Sequence, residues 1–229
     1  MAEAVEHRRR AGRPRLRPAS SAGLTPREEV LDAAAGLFVS QGLAATTTRQ
    51  IAERVGIRQA SLYYYFASKD EILLELLTQS VRPSLEIAKL LEARPGRPGD
   101  PAAYLYALVL IDVQTLTRAP HNIAALYLLP EVQGDLYASF RAERAALQAV
   151  YGRLGQAASA VPGLGLTLTA ALIMQLVESV IHLRRTGELQ EAYGHEIAAA
   201  CLRLVGLSPG QVSRARRAAS RLLTERRSW

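Results

Sequence analysis

Apolar residues along this chain recur at intervals of three and four, the period of a helix face. Val30, Leu31, Ala34, Leu37 and Phe38 form the first such stripe. Thr25 with Glu28 predicts a capping box at its start, Pro26 suits the first helical position, and Gly42 ends it. Thr47 and Gln50 predict a second box, opening a helix over 47–55 with Ile51, Ala52 and Val55 inward. Gly56 supplies the left-handed residue that a helix end favours. Over 59–66, Leu62 and Phe66 lie one turn apart and point inward, leaving Gln59, Ala60, Ser61, Tyr64 and Tyr65 facing away. Ser68 with Glu71 opens a fourth helix, faced by Ile72, Leu73, Leu76 and Leu77 and running towards Leu91. Pro83 predicts a kink or break near Val81, because proline removes a helical hydrogen bond.

The rest reads as helices too. RPGRPGDP at 94–101 is a loop, and 102–117 is apolar almost all round, as a central buried helix would be. A short helix over 122–129 should stop at Pro130. A long one over 136–156 places Leu136, Phe140, Leu147, Val150, Tyr151 and Leu154 inward. A turn at 162–165 precedes a helical pair, 166–185 and 188–205, joined at Gly187. Ser208, Pro209 and Gln211 open a last helix that reaches Thr224. With no strand-period run and no internal repeat, the chain is expected to be all-α. The charge-free stretch 155–177 is interrupted by Gln156, Pro162, Gly163 and Gly165 and followed at once by Glu178, His182, Arg184 and Arg185. It reads as a buried helix rather than a membrane span.

Composition narrows the chemistry. The chain has 229 residues, 49% of them hydrophobic, enough for a sizeable core. A formal charge of +7 favours a polyanionic partner. The single Cys201 excludes an intramolecular disulfide and suits a reducing, cytoplasmic location. No apolar segment follows the arginine-rich N-terminus, so no secretory signal is expected. His7, His121, His182 and His195 make no metal-binding pattern. Glu178 with His182 and Glu191 with His195 are spaced like ordinary one-turn surface pairs. No nucleophile elbow, phosphate-binding loop or dinucleotide fingerprint occurs, so neither an enzyme nor a cofactor is expected. Residues 1–24 carry Arg8, Arg9, Arg10, Arg13, Arg15 and Arg17 among prolines and glycines. They read as a disordered basic arm, either tracking phosphates and the minor groove or simply solvated.

The stretch 46–70 has the geometry of a helix-turn-helix, whose second helix opens with small and hydrogen-bonding side chains that a major groove admits. Gln can pair with adenine, Arg with guanine, and tyrosine hydroxyls with phosphates. The motif string is more specific still. Phe38 and Gly42, Thr47-Thr48-Arg49, Ile51-Ala52, Gly56-Ile57, Leu62-Tyr63 through Phe66, and Ser68-Lys69-Asp70 together resemble the DNA-binding domain of TetR-family bacterial repressors. Arg58 replaces a frequent small capping residue, and Tyr65 a frequent histidine.

The resemblance implies a DNA-binding domain over 25–70 and a helical ligand-binding and dimerisation domain over 71–229. It implies Arg49 and Gln59 as base readers, Ala60 and Ser61 close to bases, and Tyr64 on a thymine methyl or the backbone. Thr47, Thr48, Tyr63, Tyr65 and Lys69 would hold phosphates, with packing beside Phe66 as the alternative for Tyr63. The two late helices would form a four-helix bundle across a two-fold axis, with Leu168, Leu172, Leu176, Ile197 and Leu204 in the seam. Such a homodimer would read a palindromic operator in double-stranded DNA. Candidate contacts to a small-molecule effector are Tyr104, Asp112, His121, Tyr127, Tyr137 and Gln175. The implied mechanism is repression released by that ligand. The alternatives are a ligand-dependent activator and a ligand-independent architectural protein. Arg214, Arg216, Arg217, Arg221, Arg226 and Arg227 on the last helix suggest a solvated basic face or a further anionic contact.

Overall fold

A computed structural model describes residues 23–93, 100–161, 163 and 165–225. Nearly all of the predicted arm, most of the 94–101 loop, and Arg226 and Arg227 lie outside the described residues. Among the described residues the regular structure is entirely helical. The capping signals place the first elements: α1 (Pro26–Gln41) starts at a complete Thr25–Glu28 box, and α2 (Thr48–Val55) at a complete Thr47–Gln50 box. Gly56 ends α2 in the left-handed region at φ 78°. Next come α3 (Gln59–Tyr65) and the long α4 (Lys69–Glu92). At the start of α4 the Ser68 side chain accepts from the Glu71 amide, but the Glu71 carboxylate reaches back to the Ala67 amide instead of Ser68.

Of the kink or break expected at Pro83, the break does not occur: α4 runs through it. Pro83 sits on the exposed side, where water can serve the carbonyl that it leaves unpaired. The opposite side, with Val81, Ser84, Leu85 and Ala88, is buried and holds the axis together. Next comes α5 (Pro101–Arg118), capped by the Asp100 side chain and packed against α4, α6, α7, α8 and α9. It is the central buried helix, with Leu105, Tyr106, Leu108 and Val109 essentially inaccessible.

The segment after α5 departs from expectation. Three 3₁₀ turns, Ile123–Leu126, Pro130–Gln133 and Asp135–Tyr137, replace a single short helix, and Pro130 opens one turn rather than stopping another. The following helix, α6 (Ala138–Ala158), begins later than the apolar pattern suggested, and Leu136 is 53% exposed outside it. Against α6 lies α7 (Leu166–Thr186) at very short range. A Cβ at Gly155 would lie 2.7 Å from the Thr169 side chain, so the small residue is what permits the crossing. Gly187 caps α7 in the left-handed region, and α8 (Tyr193–Leu204) and α9 (Pro209–Glu225) complete the chain. The start of α8 at Tyr193 is five residues later than the predicted 188, the interval being loop.

Candidate nucleic-acid interface

The outer face of α3, the candidate recognition face, is built on two buried side chains. Leu62 and Phe66 are fully enclosed and fix α3 against the core. The Arg27 guanidinium lies 4.6 Å from the Phe66 ring centre and covers it. With that side anchored, Gln59, Ala60, Ser61, Tyr63 and Tyr64 are all exposed on the opposite side. Tyr64 is 86% exposed, far more than packing would leave it.

The exposed groups are pre-arranged. Gln59 Nε2 donates to Thr48 Oγ1 at 2.8 Å, and Tyr63 OH lies 3.2 Å from the same hydroxyl. This links the start of α2 to α3 on a single surface. Tyr63 is half exposed and hydrogen-bonded there, so the packing alternative beside Phe66 does not hold. Arg49 stands on the outer side of α2, its Nε bonded to the Glu53 carboxylate at 2.8 Å. That pair is highly exposed and therefore easily exchanged for another acceptor.

Two residues, Lys69 and Tyr65, take places other than those expected, and Arg58 keeps its expected capping position. Lys69 does not point freely outward: its Nζ donates to the Leu43 and Thr46 carbonyls at 2.7 and 2.9 Å, tying down the α1–α2 loop. Two of its three donors are thus engaged internally. Tyr65 is half-buried against the core and meets Tyr64 edge-on, with ring centres 5.3 Å apart, instead of facing away. Arg58 stands at the N-cap of α3 without making a side-chain cap, leaving its exposed guanidinium beside the recognition face. Sequence reading did not include Arg58 among the candidate contacts, although its position just before α3 was legible.

The candidate effector residues do not converge on one pocket. Asp112 is fully buried, accepting from Ser84 Oγ at 2.8 Å and Tyr151 OH at 2.7 Å. Burial pushes its carboxyl up to about 6, against the pull of those two hydrogen bonds. Tyr127 is also buried, its hydroxyl 2.7 Å from Ser80 Oγ, and burial drives its phenol well above the usual range. Asp112 and Tyr127 share a cavity of only about 10 Å³, bordered also by Ser80, Arg144 and Glu178. Arg144 grips Glu178 with two hydrogen bonds at 2.8 and 2.6 Å. That makes Glu178 the partner of an arginine on α6, not of His182 one turn away.

Of the other candidates, only Gln175 shares a cleft with Tyr127. Tyr137 donates to Asp70 at 3.1 Å, and His121 Nε2 lies 3.1 Å from Asp32, both at the joint with the N-terminal helices. Tyr104 is half-buried against the core. Gln175 faces out from α7, in a cleft of about 440 Å³ that it shares with Tyr127, Ser179 and His182.

Among the described residues, α7 is the one helix long and apolar enough to cross a membrane by length and composition. It is nevertheless two-sided. Ile173, Met174, Val177 and Val180 are buried within the protomer, while Leu168 and Leu172 remain 58% and 38% exposed. Leu176 and Leu204 are half-buried. Ile197 is already buried inside the chain, which removes it from the predicted seam.

An exposed recognition helix on a three-helix N-terminal unit, followed by a larger helical body, defines the architecture of helix-turn-helix transcriptional regulators. The family model described as "Bacterial regulatory proteins, tetR family" matches residues 30–76. The chain is 41% identical to Mycobacterium smegmatis AmtR in its crystal structure, covering 90% of this chain and 98% of that one with a TM-score of 0.79. The chain belongs to the tetR family, a family of regulators and not of enzymes. It is also similar to the transcriptional repressor KstR2 of Mycobacterium tuberculosis, 53% identical over 51 residues. That match spans 22% of this chain and only 26% of KstR2. AibR, solved with isovaleryl coenzyme A and operator DNA, shares the fold at 16% identity and a TM-score of 0.61, covering 78% of this chain and 97% of that one.

Proposed function

We propose that the protein is a homodimeric transcriptional repressor that binds a palindromic operator and is released by a small-molecule effector. The observation carrying this reading is the exposed, hydrogen-bonded set Thr48, Gln59 and Tyr63 beside Tyr64 and Arg49, displayed on a helix whose inner side is locked. Gln59 and Arg49 act as base readers, Ala60 and Ser61 let the helix come close, and Tyr64 meets a methyl group or the backbone. Thr47, Thr48, Tyr63 and Tyr65 hold phosphates, and Arg58 joins them. Lys69 shapes the loop with two donors and offers its third to a phosphate.

The exposed apolar side of α7, around Leu168 and Leu172, pairs with its two-fold copy. Half-sites one helical turn apart would require recognition helices ~34–36 Å apart. An effector that prefers a differently spaced dimer lowers DNA affinity, and α4 is the lever, since it runs unbroken from the N-terminal unit into the Asp112 network. The neighbouring fold of AibR, solved with both an acyl coenzyme A and DNA, supports such a dual-ligand arrangement. The protein acts where the bacterial chromosome lies, in the cytoplasm. The test is selection of bound duplexes from random DNA with the purified protein. A two-fold symmetric motif is expected. Salt-sensitive binding with no motif, with or without metabolite extract, would replace this reading with an architectural one.

A further inference from the structure

Where α1 and α4 meet the end of α5, the surface opens into a cleft of about 300 Å³, the lower end of the range for small-molecule sites. Leu31 and Ala35 of α1, Leu76 of α4 and Ile123 beyond α5 give it apolar walls. Its charged lining residues among those described are Glu28 and Asp32, both acidic; no lysine or arginine lines it. His121 closes one side, its Nε2 3.1 Å from Asp32 Oδ1. The approach is tight: a Cβ at Gly36 would lie 3.1 Å from His121 Cε1 and 3.6 Å from Arg54 Nη2, a guanidinium that stands beside the imidazole but does not line the cleft. Ser80 is the one residue that this cleft shares with the Asp112 cavity, which is bordered by α6 and α7 residues.

We propose that this cleft is a binding site for a compact hydrophobic amine. Its ammonium takes the Asp32 carboxylate, displacing or sharing it with His121, and Glu28 adds a second negative charge at the mouth. Its hydrocarbon body fills the space between Leu31, Ala35, Leu76 and Ile123. An apolar hole with carboxylates at the rim selects for this chemistry, because a charge-assisted hydrogen bond adds to apolar burial, whereas an anionic ligand of the same shape is repelled. The site lies where α1, which carries the recognition unit, is held against the body of the protein. Occupancy is therefore linked to the position of α3, in addition to any effector bound elsewhere.

The test needs no DNA, so its failure is separate from a failure of the regulator reading. The full chain is titrated calorimetrically with 1-aminoadamantane, 1-adamantanol and 1-adamantanecarboxylate, three probes of one shape and different charge. Saturable binding is expected in the order amine, alcohol, carboxylate. Asp32→Asn should reduce amine affinity about tenfold and leave the alcohol unchanged, as loss of one charge-assisted contact implies. Ala35→Phe, or Thr115→Leu if the first variant melts early, should fill the cleft and abolish binding of all three. The proposal is overturned if no probe saturates at millimolar concentration, if the carboxylate binds as well as the amine, or if a folded cleft-filling variant still binds.

Discussion

Among the described residues, the three N-terminal helices and the six helices of the body use their polar side chains in opposite ways. In the first region, Thr25, Thr47 and Gln50 sit at helix ends, and Gln59, Ser61 and Tyr64 sit on the outside. Each of these groups either caps a helix or faces water, and the buried polar side chains there, Glu29 and Thr46, lie at or beside the ends of α1. In the body, Asp112 is enclosed with Ser84 and Tyr151, and Arg144 with Glu178. Polar groups here join helices that are distant in sequence. The first region displays its chemistry and keeps an apolar interior, whereas the second encloses a carboxylate at an energetic cost. A surface that reads DNA needs rigid support, and an interior that responds to a ligand needs an element whose balance can be tipped.

The contrast can be broken from either side. Phe66→Ala, removing a fully buried ring from the small unit, should cost about 3–5 kcal/mol in chemical denaturation and abolish DNA binding. A cost below about 1 kcal/mol would mean that α3 is not anchored as described.

Asp112→Asn probes the body. The folded-state pKa of about 6 exceeds the ordinary 3.8, so the folded protein holds this proton more tightly than the unfolded chain does. The stability it contributes is fully present below the unfolded value and is lost as pH rises through the folded one. The loss across that window is about 3 kcal/mol. Urea midpoints compared between roughly pH 4.5 and 7 should show wild type losing ground against Asp112→Asn as pH rises. Parallel profiles would contradict the buried, ionising carboxylate.

Lys69→Met sharpens the assignment of that residue. Leaving the Leu43 and Thr46 carbonyls unserved should cost about 1–3 kcal/mol of stability. Unchanged stability with a salt slope for DNA binding lower by about one would instead make Lys69 a phosphate contact alone. The smallest effect is expected for Thr47→Ala, about 1 kcal/mol from loss of the α2 cap, read from thermal melting.

The same contrast explains how much of the molecule was legible in the sequence. Capping boxes are local, so Thr25–Glu28 and Thr47–Gln50 marked α1 and α2 to within a residue. Leu62 and Phe66 fixed the buried side of α3, but Tyr65, at its edge, turned inward against the core instead of facing away. At Pro83 local chemistry allows a kink or a break, and the absence of a break depends on which side of α4 packs. The turns after α5 misled because an apolar run without caps does not distinguish 3₁₀ from α geometry. The Asp112 network was beyond reach: its partners lie 28 and 39 residues away, and no periodicity encodes such a meeting. Lys69 resembles a phosphate-contacting lysine, and only the folded chain brings to it the two carbonyls that it serves, from residues 23 and 26 positions away.

The most direct measurement is the affinity of wild type and Gln59→Ala for the selected operator and for random duplex, at one fixed salt concentration. If α3 reads bases, Gln59→Ala should lose about 1–3 kcal/mol on the operator and almost nothing on random DNA. Equal losses on both duplexes would show that Gln59 serves only the backbone, and would contradict the account of this surface as a sequence reader.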